Sequence, residues 1–288
     1  MFNRHPTAQW LDIQDSHILV DCGEATQMQL LRYGLKSGRL QHIFISHLHG
    51  DHYLGLVGLL SSLNLNGRKD EVYLYGPRGL DSLLDHHFNL SETTLNFPLH
   101  YTSTTGRPPG IILNTPHFTV ESFELYHSIP CMGFKFSEKP KSRRIIKEKI
   151  KLYDVPDLDM PSIKQGADYT TPEGLVIPNS ELTADVQPSK SYAFCSDTRY
   201  EPGLTRVLAG VSTLYHESTF LSDMAARAQI TYHSTAHQAA DIALASGVEK
   251  LLLGHFSARY RDLNPLLEEA KHVFPNSFLA LEGLTFSI

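Results

Sequence analysis

Apolar residues along the chain gather in short runs that alternate between two periods. HILVDC (17–22), HIFIS (42–46) and VYLYG (72–76) are brief, nearly continuous apolar stretches of strand type. FTVESFELYH (118–127) and MGFKFSE (132–138) predict an antiparallel pair turning at Ile129-Pro130. SYAFCSD (191–197), STLYHES (212–218), KLLLGHF (250–256) and FLALEGLTFSI (278–288) predict the later strands. Between these, YLGLVGLLSSL (53–63), HSTAHQAADIALASG (233–247) and LNPLLEEAKHVF (263–274) read as helices. The second closes on Gly247 at its C-terminal cap, and the third tolerates Pro265 in its first turn. No segment repeats at a fixed period, so a solenoid is not expected. Strands alternating with helices point to an α/β fold.

Residues 138–190 depart from this pattern, being rich in Pro, Lys and Asp without a sustained apolar period. Within the stretch from Lys135 to Lys151, eight basic residues face two acidic ones, a net +6. The whole chain carries a formal −6, so everything outside that stretch sums to −12. A charge run is usually a solvated surface. On an otherwise acidic body it also suits a projecting basic arm for a polyanion, because phosphate contacts dominate nucleic-acid affinity.

At 288 residues, 41% hydrophobic and 19% charged, the chain can bury a sizeable core and is neither disordered nor coiled-coil in composition. No apolar run approaches the length of a spanning helix. The opening MFNRHPTAQW lacks a positive flank followed by an apolar stretch, so no secretory signal is expected. Cys22, Cys131 and Cys195 are odd in number and far apart, which predicts a reducing, cytoplasmic setting and argues against a disulfide framework or a thiolate zinc site. The anomaly is 16 histidines, since histidine is both the commonest metal ligand and the usual acid–base group near neutrality.

They cluster in HIFISHLHGDHYLGLVGLL, where His47, His49, Asp51 and His52 fall between a predicted strand and a predicted helix. A loop can turn these side chains toward one point, whereas a strand sends alternate residues to opposite faces. Gly50 supplies the freedom for a tight turn. Nitrogen and oxygen donors without sulfur suit zinc, and also manganese or iron.

HLHGDH resembles the HxHxDH signature of the metallo-β-lactamase superfamily. That resemblance implies a four-layer αββα sandwich as a single domain over residues 1–288, with the basic segment at about 138–190 as an arm. It also implies two divalent ions per chain: His47, His49 and His127 on one, Asp51, His52 and His255 on the other, and Asp197 between them. DCGEATQ (21–27), HSIPCMGF (127–134), SDTR (196–199), HEST (216–219), HST (233–235) and HFSARY (255–260) narrow the resemblance to the ribonuclease Z family of tRNA 3′-processing endonucleases. The similarity runs from about residue 4 to the end. HEST and HFSARY do most to separate this family from lactamases.

The resemblance implies that precursor tRNA is the substrate and that a hydroxide held between the ions attacks phosphorus in line. In such a mechanism Arg259 offsets the growing charge. His233 protonates the leaving oxygen or contacts the phosphate, and Glu217 orients His233. Asp51, while ligating, is also a candidate to accept a proton from the attacking water. Lys139, Lys141, Arg143 and Arg144 are the candidate phosphate contacts of the arm. Asp21 is a candidate for holding a ligand imidazole or the motif loop, and His216 reads as a core histidine. Members are generally homodimers in which one subunit's arm serves the other's site. A phosphodiesterase of the same fold, acting on cyclic nucleotides or small diesters, would share all seven ligands and need no arm.

Two departures stand out. Relatives open with a strand and a glycine-rich turn, whereas this chain begins beyond that point, so either the sandwich lacks its usual first strand or the true start lies upstream. The arm of bacterial relatives carries a Gly-Pro pair, and DVPDLDMPSIKQG at the matching place has none.

Overall fold

The structure is a computed structural model describing residues 4–186 and 188–288. Its contacts divide the chain into two compact units, one formed by the chain up to Ser137 with Ser191–Ile288, the other by Glu138–Lys190.

The larger unit holds two sheets. The first runs in the order Gln9–Ile13, Ser16–Val20, Leu40–Phe44, Val72–Gly76, Leu99–Ser103. Its first pair is antiparallel and the remaining pairs are parallel. The second runs Ser277–Leu279, Lys250–Gly254, Thr213–Glu217, Ser191–Cys195, Cys131–Glu138, Phe118–Leu125, Gly110–Asn114. Its first three pairings are parallel, while Ser191–Cys195 meets Cys131–Glu138 antiparallel.

Period-two alternation explains the layers. Ile18, Val20, Phe44 and Tyr75 of the first sheet share one core with Phe118, Phe134, Phe194 and Tyr215 of the second. The intervening Leu19, Ile43 and Leu74 turn the other way onto Leu56, Leu59, Leu60 and Leu84, from helices Gly55–Leu65 and Leu80–Leu90. Cys195, Leu214, Leu251 and Leu253 likewise meet Ala236, Ala239, Ala240 and Leu266, from helices Ala236–Ser246 and Asn264–Val273. Strands covered on both faces read as continuous apolar runs, which is what made them visible in the sequence. The order helix, sheet, sheet, helix is the αββα sandwich.

Several elements differ from the sequence reading. Gln9–Ile13 is a strand that the apolar pattern did not mark; it forms a hairpin through Gln14 and Asp15, both at positive φ (46° and 67°), the geometry two-residue hairpins favour. Helix Leu80–Leu90 and strands Leu99–Ser103 and Gly110–Asn114 were also unmarked. The last strand is only Ser277–Leu279, because Leu281 N–H turns back onto Leu279 O (3.1 Å) and Gly283 takes φ 77°. The motif helix is split at Leu54 into Gly50–Tyr53 and Gly55–Leu65. Helix Ala236–Ser246 starts at a Thr235–Gln238 capping box and ends at Gly247 with φ 62°.

The smaller unit explains its own lack of periodicity: its elements are too short to repeat. Helices Lys147–Leu152, Met160–Lys164 and Asn179–Leu182 accompany two minimal antiparallel pairs, Arg144–Ile145 with Thr183–Ala184 and Tyr169–Thr170 with Val176–Ile177. Val155, Ile163, Tyr169, Ile177 and Leu182 form its core. Lys141 pairs with Glu138 (2.9 Å), and Arg143 donates to Thr183 Oγ1 (2.7 Å) and Asp185 Oδ1 (2.8 Å). Among the described residues, Lys139 and Arg144 have no ion pair.

Candidate metal centre

Every side chain of the centre follows the end of a strand. Leu40–Phe44 leads into the buried Ser46 and His47, and its loop continues to His49, Asp51 and His52. Phe118–Leu125 leads to His127, Ser191–Cys195 to Asp197, and Lys250–Gly254 to His255. Once a ladder stops, side chains need no longer alternate faces and can converge.

They converge as two groups. One ligand atom each from His47, His49, His127 and Asp197 lies within 4.8 Å of the others, and the same holds for Asp51, His52 and His255. His49 Nδ1 sits 3.2 Å from His47 Nε2 and 3.0 Å from His127 Nε2. Asp51 Oδ2 sits 3.5 Å from both His52 Nε2 and His255 Nε2. Asp197 stands between: Oδ2 lies 3.8 Å from His47 Nε2 and from His127 Nε2, while Oδ1 lies 3.2 Å from His255 Nε2 and 3.5 Å from His52 Nε2.

The far nitrogens of four imidazoles are held from behind. His52 Nδ1–H donates to Asp21 Oδ2 (2.7 Å), His47 Nδ1–H to Ser46 Oγ (3.0 Å), His127 Nδ1–H to Tyr232 O (3.1 Å), and His255 Nδ1–H to Thr219 Oγ1 (3.0 Å). Each bond fixes the tautomer that leaves Nε2 bare toward the centre. Asp21 also accepts from Ser46 N–H (2.8 Å) and Ser46 Oγ–H (3.0 Å), so one wholly buried carboxylate anchors both the motif loop and a ligand imidazole. It does so from a left-handed backbone (φ 59°), as does His255 (φ 57°), and strain of this kind persists where the surroundings over-determine a conformation.

The donor set fits a divalent cation. His52 Nε2 and Asp197 Oδ1 are buried without a hydrogen-bond partner and point into the gap between the groups. Burial, then neighbouring His52, pushes His47 down to about 2; burial also disfavours charge on His255, yet Asp197, Asp51 and Glu217 together outweigh it and raise His255 to about 9. The carboxylates thus draw positive charge into the cluster, and a metal ion would replace those protons.

Beside this centre, a nitrogen of His233 lies within 4.8 Å of ligand atoms on Asp197 and His255. His233 Nδ1–H donates to Glu217 Oε1 (2.8 Å), and Glu217 is fixed by Thr198 N–H (2.9 Å), Thr219 N–H (3.2 Å) and Thr219 Oγ1–H (2.6 Å). Arg259 is exposed, with its guanidinium carbon 4.9 Å from the Phe220 ring centroid, and that ring packs 6.2 Å from His233. His216 turns away into the sheet, buried, donating from Nδ1 to Glu217 O (2.7 Å). Ser46, Thr219 and Tyr232 escaped the sequence reading, because a lone hydroxyl or a backbone carbonyl carries no spacing signal.

Ribonuclease Z of Bacteroides fragilis is 46% identical to this chain, covering 98% of it and 93% of the relative. The chain belongs to the ribonuclease Z family. Human tRNase Z, short form, superposes on it with a TM-score of 0.70 at 26% identity, covering 99% of this chain and 93% of that one. The metallo-β-lactamase fold protein YhfI from Bacillus subtilis superposes with a TM-score of 0.69 at 18% identity over 100% of this chain and 94% of its own. A family described as anti-Pycsar protein Apyc1 matches residues 4–96, the part that carries HLHGDH. In this chain the HEST and HST segments, far apart in the sequence, meet at the Glu217–His233 hydrogen bond. Among the described residues, no helix is long and apolar enough to cross a membrane.

Proposed function

We propose that this member of the family removes the 3′ trailer from precursor tRNA by hydrolysing one phosphodiester at the centre described above. The observation that carries this reading is Asp197, whose two oxygens face the two ligand groups separately. His47, His49 and His127 would hold one ion, Asp51, His52 and His255 the other, with Asp197 shared. Two zinc ions suit these nitrogen and oxygen donors, with manganese or iron as alternatives. Bound divalent ions at such a site supply Lewis acidity, activating water and offsetting charge on the attacked phosphate.

The chain's own groups do the rest. His233 is oriented by Glu217; burial disfavours its charge, but the charge and hydrogen bond of Glu217, with a smaller contribution from Asp197, offset this and raise its pKa. It is therefore suited to hand a proton to the leaving 3′-oxygen. Asp51 lines the same gap and is a candidate acceptor for a proton from water. Arg259, stacked on Phe220 beside His233, is poised to meet a phosphate oxygen. The Glu138–Lys190 unit serves as the tRNA-docking arm, with the unpaired Lys139 and Arg144 contacting phosphates and Lys141 and Arg143 exchanging their carboxylate partners for them. A cytoplasmic homodimer completes the proposal.

The test is the 3′ end left on a precursor tRNA, mapped with and without a chelator. Cleavage at the trailer junction that the chelator abolishes is the expected result. An intact precursor alongside hydrolysis of cyclic nucleotides or small diesters would instead establish a small-diester phosphodiesterase.

A further inference from the structure

Tyr232 is in a conformation that its side chain disfavours. It ends helix Ala225–Thr231 in the left-handed region (φ 58°, ψ 45°), with its N–H on Ala228 O. Helices ending this way take glycine or asparagine there, because a Cβ crowds the following carbonyl. The left-handed turn has a clear purpose: it aims Tyr232 O at His127 Nδ1 (3.1 Å) and delivers His233 to the centre. Every amino acid has that carbonyl, however, and glycine would present it without strain. The residue is 38% exposed, so burial of its ring is incomplete and part of the aromatic surface faces solvent.

The ring's position is informative. Its centroid lies 6.5 Å from that of His127 at an interplanar angle of 86°, at the edge of the metal centre. An edge-to-face contact of this kind occupies at most one face of the tyrosine, and among the described residues no guanidinium or other aromatic ring packs over it. Tyr126, also exposed next to His127, differs: the Arg199 guanidinium carbon lies 5.4 Å from its ring centroid and covers a face.

Resting on the ribonuclease reading of the site, we infer that Tyr232 is a nucleobase-stacking subsite for a nucleotide adjoining the cleaved bond. Single-stranded RNA presents unstacked bases, and an exposed aromatic face takes any of them. Stacking one base on this ring would fix the neighbouring phosphate over the ligand cluster. Tyr232 is thus a positioning residue for the substrate, while its carbonyl positions His127.

Steady-state cleavage of a 3′-extended precursor tRNA tests this, using substrates intact or with one abasic nucleotide immediately 5′ or 3′ of the cleaved bond. Tyr232→Gly keeps the left-handed turn and the carbonyl, and its thermal midpoint should equal or exceed that of wild type. It should raise KM roughly 5- to 100-fold with a smaller change in kcat, the range measured for losing one base–aromatic stack. Tyr232→Phe should restore KM to within about twofold, because the ring does the stacking. One of the two abasic substrates should cost the wild type the same factor and cost Tyr232→Gly nothing more. Equal KM for wild type and Tyr232→Gly, or losses from the variant and the abasic site that multiply, would overturn the subsite. A wild type that leaves the intact precursor uncut overturns the ribonuclease reading itself, and with it the stacked base.

Discussion

His233 Nδ1 lies 2.8 Å from Glu217 Oε1, and Glu217 is wholly buried beneath it. An ionised carboxylate behind an imidazole does two things: it sets which nitrogen faces outward, and it favours the protonated ring. In the proposed reaction, the pair would make a histidine at the edge of the centre a directed proton donor.

His233→Ala should lower kcat on precursor tRNA about 10²- to 10⁴-fold, the usual value of a positioned acid, with metal content retained. Glu217→Gln should act more subtly. Its carboxylate raises the His233 pKa, so without it the ring loses its proton at lower pH. The falling alkaline limb of the kcat profile should therefore move toward acid. Wild-type cleavage by His233→Ala, or an unmoved limb in Glu217→Gln, would remove the proton-donor role.

Asp21 touches no ligand gap yet holds His52 and Ser46. Asp21→Asn should weaken metal affinity about 10- to 100-fold, as loss of the group behind a ligand imidazole typically does. Competition against a chromophoric chelator reads this directly. An unchanged affinity would leave Asp21 with only a loop-holding role.

Gly55 passes so close to the Asp21 loop that an added Cβ would sit 2.0 Å from Gly23 O, and one at Gly23 would sit 2.4 Å from Asp51 O. Gly55→Ala must push the motif helix away from that loop. Thermal denaturation should show a loss of about 1–3 kcal/mol, the usual cost of overpacking, together with weaker metal uptake. A fully stable variant with normal metal content would show that the two loops are not packed this tightly.

His42 is one of the histidines outside the centre. It is 9% exposed, stacks on Tyr73 at 5.3 Å, and its Nδ1 has no partner. Burial pushes its pKa down to about 4. Between that value and about 6.5, where an unfolded histidine titrates, the unfolded chain binds more protons, so stability falls as pH drops. The stabilisation present above about pH 6.5 and lost toward pH 4 should reach up to about 3 kcal/mol. His42→Phe keeps the stacking without titrating, and its urea midpoint should fall less than that of wild type between about pH 7.5 and pH 4.5. Parallel falls in both proteins would assign the acid sensitivity to other groups.

The strands buried on both faces were legible because each is an unbroken apolar run, as in HIFIS and KLLLGHF. The hairpin strand Gln9–Ile13 was not, since its five residues alternate too briefly against a charged turn at Asp15. FLALEGLTFSI looked like one strand throughout, yet a turn at Leu281–Gly283 ends the ladder after three residues.

For the centre, HLHGDH was readable because four of its donors are neighbours in sequence, and His127, Asp197 and His255 because family motifs surround them. By itself, then, the sequence determined the fold class, the family and the chemical types of the donors, since apolar period and local motif are written along the chain. Only the tertiary structure decided that Asp197 faces both groups, that Asp21, Ser46, Thr219 and Tyr232 O hold the imidazoles from behind, and that Glu217 meets His233. Those contacts join residues on different strands and loops. Their direction depends on where each ladder stops and which way the backbone then turns, a property of two packed sheets that no single segment carries.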